Sequence, residues 1–317
     1  SRKFNKQINY FLNKRKDNSV SKITKVNKII TDIEKNKDKS LIKYEKKFNN
    51  LKKLRKKNFF FTNSEIKNNI KVLDKKVKKS IDVAYNRILN FHKNQKLQGF
   101  KTQDKYKNTF SYRSRPLEKV GVYVPGGKAS YPSSVLMNCI PAIIAGVKQI
   151  FMTVPSTNGK VNSGVLYAAK KCKVKKIYKL GGAQAIAAFA FGTQTVPKVD
   201  KIVGPGNEYV NLAKKEVFGK VGIDMLAGPS EVTVIADKYS NPDWVAADLI
   251  AQSEHDEMSQ SILISDSKEI IFKVKKYINT QIKFLPKRKI ASNSLKKFGL
   301  AILARNFKEI SNITNEI

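Results

Sequence analysis

The sequence predicts an α/β fold: a parallel sheet covered by helices, preceded by a helical N-terminal stretch. Three observations carry this. The first hundred residues show apolar side chains at helical spacing. From about residue 117 short β-branched runs alternate with amphipathic stretches, the pattern of βαβ units. Several of those runs end in Gly-rich turns, where an α/β sheet lets its backbone approach a ligand.

In order along the chain, Val26, Ile29, Ile30 and Ile33 predict a first helical face, and Leu41, Tyr44 and Phe48 continue it after a polar break. A longer seam runs through Ile66, Ile70, Leu73, Val77, Ile81, Ala84, Ile88 and Phe91 in steps of three and four, with Thr62 and Glu65 as a capping box at its start. Strands follow at Val120 to Val124, Ile150 to Val154, Lys176 to Leu180, Asp200 to Val203, Glu231 to Ala236 and Ser261 to Ser265. The first runs into Pro125-Gly126-Gly127, the third into Gly181-Gly182-Ala183-Gln184 and the fourth into Gly204-Pro205-Gly206-Asn207. The turn Ala227-Gly228-Pro229-Ser230 precedes the fifth strand, and Asn241 with Pro242 marks a helix start after it.

Composition bounds the function. At 317 residues and 41% apolar, the chain suits one large domain or two ordinary ones. No apolar run reaches membrane-spanning length and no secretory signal opens the chain, so a cytoplasmic protein is expected. Cys139 and Cys172, the two cysteines, sit in apolar stretches and exclude a disulfide scaffold. The charge is +37, of which residues 1–100 carry 29 basic and 8 acidic side chains. Such a surface favours polyanions by counterion release, but the lysines are spread around the helices rather than gathered in a stripe. Nonspecific polyanion binding is therefore expected, without a specific nucleic-acid partner.

No GxGxxG fingerprint, Walker loop or Ser-His-Asp set is present. Gln252-Ser253-Glu254-His255 ends a predicted helix, and its first and last residues share a face at that spacing. A metal could bridge them, with Glu254, Asp256 and Glu257 placed to orient the ring, although a lone helical histidine is more often no ligand. Zinc needs four ligands, or three and a water, so this pair is half a site. His92, beside Phe91, reads as structural.

Five blocks together resemble the histidinol dehydrogenases. They are Arg115-Pro116-Leu117-Glu118-Lys119-Val120-Gly121-Val122-Tyr123-Val124-Pro125-Gly126-Gly127, Gly181-Gly182-Ala183-Gln184-Ala185-Ile186-Ala187-Ala188, and the segment from Lys198 to Asn207. The other two run from Ile223 to Val232 and from Asp248 to Asp256. The resemblance implies two incomplete Rossmann-like domains, one inserted in the other. Residues 1–120 would hold the N-terminal helices and the first part of domain 1, 121–229 the inserted NAD-binding domain, and 230–317 the second part of domain 1.

It further implies oxidation of L-histidinol to L-histidine through the aldehyde, with two NAD⁺, one zinc ion and a homodimeric enzyme. Tyr123, Gln184 and Asn207 fall at NAD-contacting positions of the family pattern, and Ser230 at a substrate position. Gln252 and His255 fall at zinc ligands that border the substrate. The family's base is a Glu-His pair in an Ala-Pro-Glu-His-Leu motif, expected just after Thr314-Asn315-Glu316-Ile317. The expectation is thus a fragment without its base, inactive alone. The alternatives are a related dehydrogenase acting on another small polyol, or a truncated non-catalytic paralogue that binds polyanions.

Overall fold

The computed structural model describes residues 2–13, 20–49, 58–126, 131–156, 159–226, 228 and 230–317, with backbone alone at 2–5 and 9. Gly127, Ala227 and Pro229 of the sequence motifs lie outside these described residues. The chain forms two compact units, one of Ser19–Leu226 and one of Ser1–Asn18 with Ala227–Ile317.

The larger unit contains α2 (Val20–Asn49), α3 (Asn63–Lys71), α4 (Lys75–Lys93) and the strands β1 (Phe100–Gln103), β2 (Thr109–Tyr112) and β3 (Lys119–Tyr123). It continues through α5 (Pro132–Ile144), β4 (Gln149–Thr153), α6 (Ser163–Lys171), β5 (Lys176–Tyr178) and α7 (Gly182–Phe191). β6 (Lys201–Val203), α8 (Glu208–Val217) and β7 (Gly222–Ile223) complete it. Strands β3 to β7 pair in parallel in the order β5-β4-β3-β6-β7. The order reverses direction between β3 and β6, which makes a topological switch point there. β1 and β2 form a separate antiparallel hairpin, exposed on both faces.

The sequence reading placed residues 1–120 with the flanking domain, but the larger unit reaches back to Ser19. The physical reason is burial. Val26, Ile29, Ile30, Ile33, Leu41 and Tyr44 of α2 share one apolar cluster with Ile186, Phe189, Val210 and Leu212 of α7 and α8. The polar break expected in α2 is a real interruption at Lys37, where φ is +49°. The long apolar seam is two helices rather than one: Asp74 stops the run and caps α4 by accepting the amides of Lys76 and Val77. Its faces pack on α5 and α6 around Ile81. The Thr62–Glu65 capping box is present in both directions.

The smaller unit pairs β8 (Glu231–Ala236), β9 (Gln260–Ser265) and β10 (Gly299–Leu303) in parallel, in the order β10-β9-β8. α9 (Pro242–Ser253) and α10 (Lys268–Gln281) cover one face through Leu249, Leu263, Ile270 and Val274. α1 (Arg2–Asn13) and α12 (Phe307–Glu316) cover the other through Ile8, Ile262, Ile264, Ile310 and Ile313, with α11 (Arg288–Phe298) beside β9 and β10. The whole is a mixed α/β fold with parallel sheets. Among the described residues no helix is long and apolar enough to cross a membrane. Cys139 and Cys172 are buried free thiols.

Candidate active site

In the larger unit the Gly-rich turns gather at the carboxyl ends of the strands. β5 leads into Gly181-Gly182, and a Cβ on Gly181 would sit 2.6 Å from Cγ of Pro155. Gly182 has φ +64°, a conformation that glycine adopts without strain. The Gly182 N–H donates to Tyr123 Oη at 3.1 Å, and the Gly181 N–H to Glu45 Oε1 at 3.0 Å. Gln184 Nε2 donates to the same Glu45 oxygen at 2.9 Å, while Asn49 Nδ2 donates to Glu45 Oε2.

This group is deeply buried: Tyr123 is 3%, Gln184 2% and Glu45 0% exposed. Burial pushes the Glu45 carboxyl up to about 7, against the pull of its donors Gly181, Asn49 and Gln184. Burial also raises the Tyr123 phenol to about 12; the Gly182 amide opposes this and the Glu45 charge adds to it. Tyr123 and Gln184 are therefore brought together by one network, beneath the surface rather than on it.

The β6 turn is held differently. Gly204 has φ +112°, and a Cβ there would collide with the carbonyl oxygen of Tyr123, so β3 and this turn touch backbone to backbone. The Gly204 N–H donates to Asp224 Oδ2 at 2.7 Å, and its carbonyl accepts from Lys214 Nζ at 3.1 Å. Lys214 and Asp224 are themselves ion-paired. Beyond this clamp Asn207 is exposed and caps α8, its Oδ1 accepting the Val210 amide at 3.1 Å. Along the same edge, at the end of β4 and in the turn after it, the hydroxyls of Thr153 and Ser156 are buried without a hydrogen-bond partner among the described residues. Orphaned buried hydroxyls at the ligand-binding edge of an α/β sheet fit a polar ligand.

In the smaller unit Ser230 precedes β8, and Gln252 and His255 lie at or just after the end of α9, ahead of β9, so all three fall at the amino edge of the three-stranded sheet. Ser230 is exposed immediately before β8, and its carbonyl accepts the Gln260 amide at 3.0 Å. Asn241 caps α9 through the Asp243 amide and Pro242 opens it, as the sequence predicts. Gln252 is half-buried in the last turn and its Nε2 donates to Ser259 Oγ at 3.5 Å. The helix ends at Ser253, so His255 lies in the following turn; its N–H donates to the Gln252 carbonyl at 3.2 Å and its side chain is exposed.

Two of the acids beside His255 are engaged with other groups. Asp256 accepts the Met258 amide, and Glu257 accepts from Asn293. As candidate zinc donors Gln252 and His255 are one helical turn apart, half of a tetrahedral set. Among the described residues no cluster of three or more His, Cys, Asp or Glu completes it. His92 is bonded to Gln95 at 2.6 Å and edge-on to Phe91.

The family model for histidinol dehydrogenase matches residues 12–317. This chain belongs to the histidinol dehydrogenase family. A histidinol dehydrogenase of Pelagibacter ubique is 52% identical over the whole chain, which spans 73% of that protein. One from Dechloromonas aromatica is 42% identical over 91% of the chain and 67% of its own length. The crystal structure of the Elizabethkingia anophelis histidinol dehydrogenase superposes with a TM-score of 0.86 at 38% identity, covering 92% of this chain and 67% of that one. Histidinol dehydrogenases are oxidoreductases of histidine biosynthesis, and this chain carries their fold and sequence.

Three residues of the site went unnoticed in the sequence. Glu45 follows Leu41 by four positions, an acid on an apolar helical face. Asp224 lies in the block from Ile223 to Val232 but was given no role there, and Lys214 left no comparable local mark.

Proposed function

We propose that the chain is part of an enzyme that performs the NAD⁺-dependent, zinc-dependent oxidation of L-histidinol to L-histidine, with the dinucleotide held by the larger unit. The observation that supports this best is the reversal of strand order between β3 and β6, with Asn207 exposed at the carboxyl edge and two buried hydroxyls, unpartnered among the described residues, at the end of the neighbouring strand β4 and in the turn after it.

In this reading Asn207 contacts the dinucleotide directly, and Tyr123 and Gln184 shape the turn beneath it. Ser230 binds the amino alcohol, with Gln252 and His255 as its neighbours and as metal ligands. A zinc ion supplies a fixed positive charge that orients the substrate, and NAD⁺ supplies the hydride acceptor. The chain's own contribution is placement: Ser253 and Ser261 hold the end of α9, and the clamped Gly turns hold the cofactor edge. Gln252 and His255 provide two donors of four, so turnover is expected to need ligands and a base outside this donor set. A homodimer is the expected state of the complete enzyme.

Calorimetric titration of NAD⁺ and of Zn²⁺ into the purified chain tests the reading. Saturable NAD⁺ binding, with Zn²⁺ binding abolished by His255→Ala, supports it; an NAD⁺ titration without heat or saturation overturns the cofactor assignment. The +37 charge favours a second property, association with polyanions. Binding to duplex DNA that collapses between low and physiological salt identifies it as counterion release alone.

A further inference from the structure

Glu45 is an acid in an apolar interface, fully buried where α2 packs on α7. A carboxylate in such a place is costly unless donors surround it. Its donors converge from one turn and its own helix: the Gly181 N–H, the Gln184 amide and the Asn49 amide. The next N–H, that of Gly182, is taken by the Tyr123 phenol.

These two backbone amides open α7, where helices leave their first N–H groups free and where α/β proteins commonly seat an anion. Here a carboxylate and a phenol of the protein already fill that role. The same carboxylate fixes Gln184: its nitrogen faces Glu45, and its Oε1 lies 2.9 Å from where a Cβ on Gly182 would be.

We propose that Glu45 is a positioning residue for the dinucleotide site, locking the Gly181-Gly182 turn and the Gln184 amide in one orientation and capping α7 from within. The proposal rests on the reading of this edge as the NAD⁺ site. It places in the N-terminal helix α2 a determinant of cofactor affinity that contacts no cofactor. It also predicts that the α7 terminus does not serve as the phosphate cradle.

The test is NAD⁺ affinity, by calorimetry on the whole chain, for wild type, Glu45→Gln, Glu45→Ala and Leu41→Ala, each with its melting temperature. Glu45→Gln keeps the shape but puts an NH₂ group among the donors. Leu41→Ala opens the same α2–α7 interface four residues away without touching the carboxylate.

Both Glu45 variants are expected to raise the NAD⁺ Kd by about tenfold or more, the worth of a lost charge-assisted hydrogen bond. Leu41→Ala is expected to lower the melting temperature yet leave Kd within about twofold. If Glu45→Ala does not fold, Glu45→Gln decides. Wild type that binds NAD⁺ while Glu45→Gln binds equally well overturns the proposal alone. The same holds if affinity simply follows melting temperature through all the variants. Wild type that binds no NAD⁺ overturns the site reading and the proposal with it.

Discussion

Lys214, with 1% of its side chain exposed, is ion-paired to Asp224 ten residues later, and both bond the backbone of Gly204 from opposite sides. The pair therefore fastens the turn after β6 by its N–H and its carbonyl at once. A buried charge survives when its partner and hydrogen bonds are all in place.

Because Asp224 is 27% exposed and stays solvated on its own, Lys214→Met is expected to destabilise the chain by about 1–3 kcal/mol, the cost of leaving the Gly204 carbonyl without its buried donor. Denaturant unfolding measures it, with NAD⁺ titration as a second readout because the turn leads to Asn207. A variant with wild-type stability would show that the pair does not hold the turn.

The Ser253 and Ser261 hydroxyls, 2.8 Å apart, bolt the last turn of α9 to β9. Both oxygens also lie within reach of the Leu249 carbonyl, at 2.8 and 2.9 Å; with one O–H apiece, one hydroxyl donates to that carbonyl and the other to its fellow hydroxyl or to the same carbonyl. Both are buried, so the double substitution to Ala removes paired groups together and leaves the carbonyl without either donor. A loss of about 1–2 kcal/mol is expected. Because Gln252 and His255 hang from this end of the helix, Zn²⁺ affinity should fall as well; unchanged affinity in a folded variant would remove the bolt from the site.

Glu45 makes a prediction about pH. Its folded pKa, about 7, lies above the ordinary 4.5, so the folded state holds this proton more tightly than the unfolded chain does. The associated stability is full below pH 4.5 and is lost as the pH rises towards 7 and beyond, by on the order of 3 kcal/mol. Glu45→Gln has no proton to lose and should flatten that part of the stability profile. Urea midpoints at pH 5 and pH 7.5 for both proteins check it, and equal slopes would mean that another group carries the dependence.

Much of the local structure was legible because its causes lie within a few residues. Thr62 and Glu65 cap α3, Asn241 and Pro242 start α9, and the six predicted strands are present with ends shifted by a residue or two. The motif blocks pointed to the family for the same reason, since each is a contiguous string. β7 and β10 escaped notice because one is two residues long and the other alternates weakly between inside and outside. The β1–β2 hairpin has no buried face to leave a pattern, although Asp104 encodes its tip by accepting the amides of Tyr106 and Asn108. The apolar seam ran unbroken through Asp74 because spacing alone cannot show that a cap outcompetes one more helical turn.

By itself the sequence determined six of the strands, the apolar faces of the N-terminal helices, where Gly turns fall, and which family the motifs match. Those properties arise from side-chain periodicity and backbone freedom, interactions that act over three or four positions. Only the tertiary structure decided that α2 belongs with the five-stranded sheet, that Tyr123 and Gln184 lie beneath the surface, and that Glu45 holds the turn between them. Glu45 and Gly181 are 136 positions apart, and desolvation, which makes their hydrogen bond matter, exists only once the chain has closed around them.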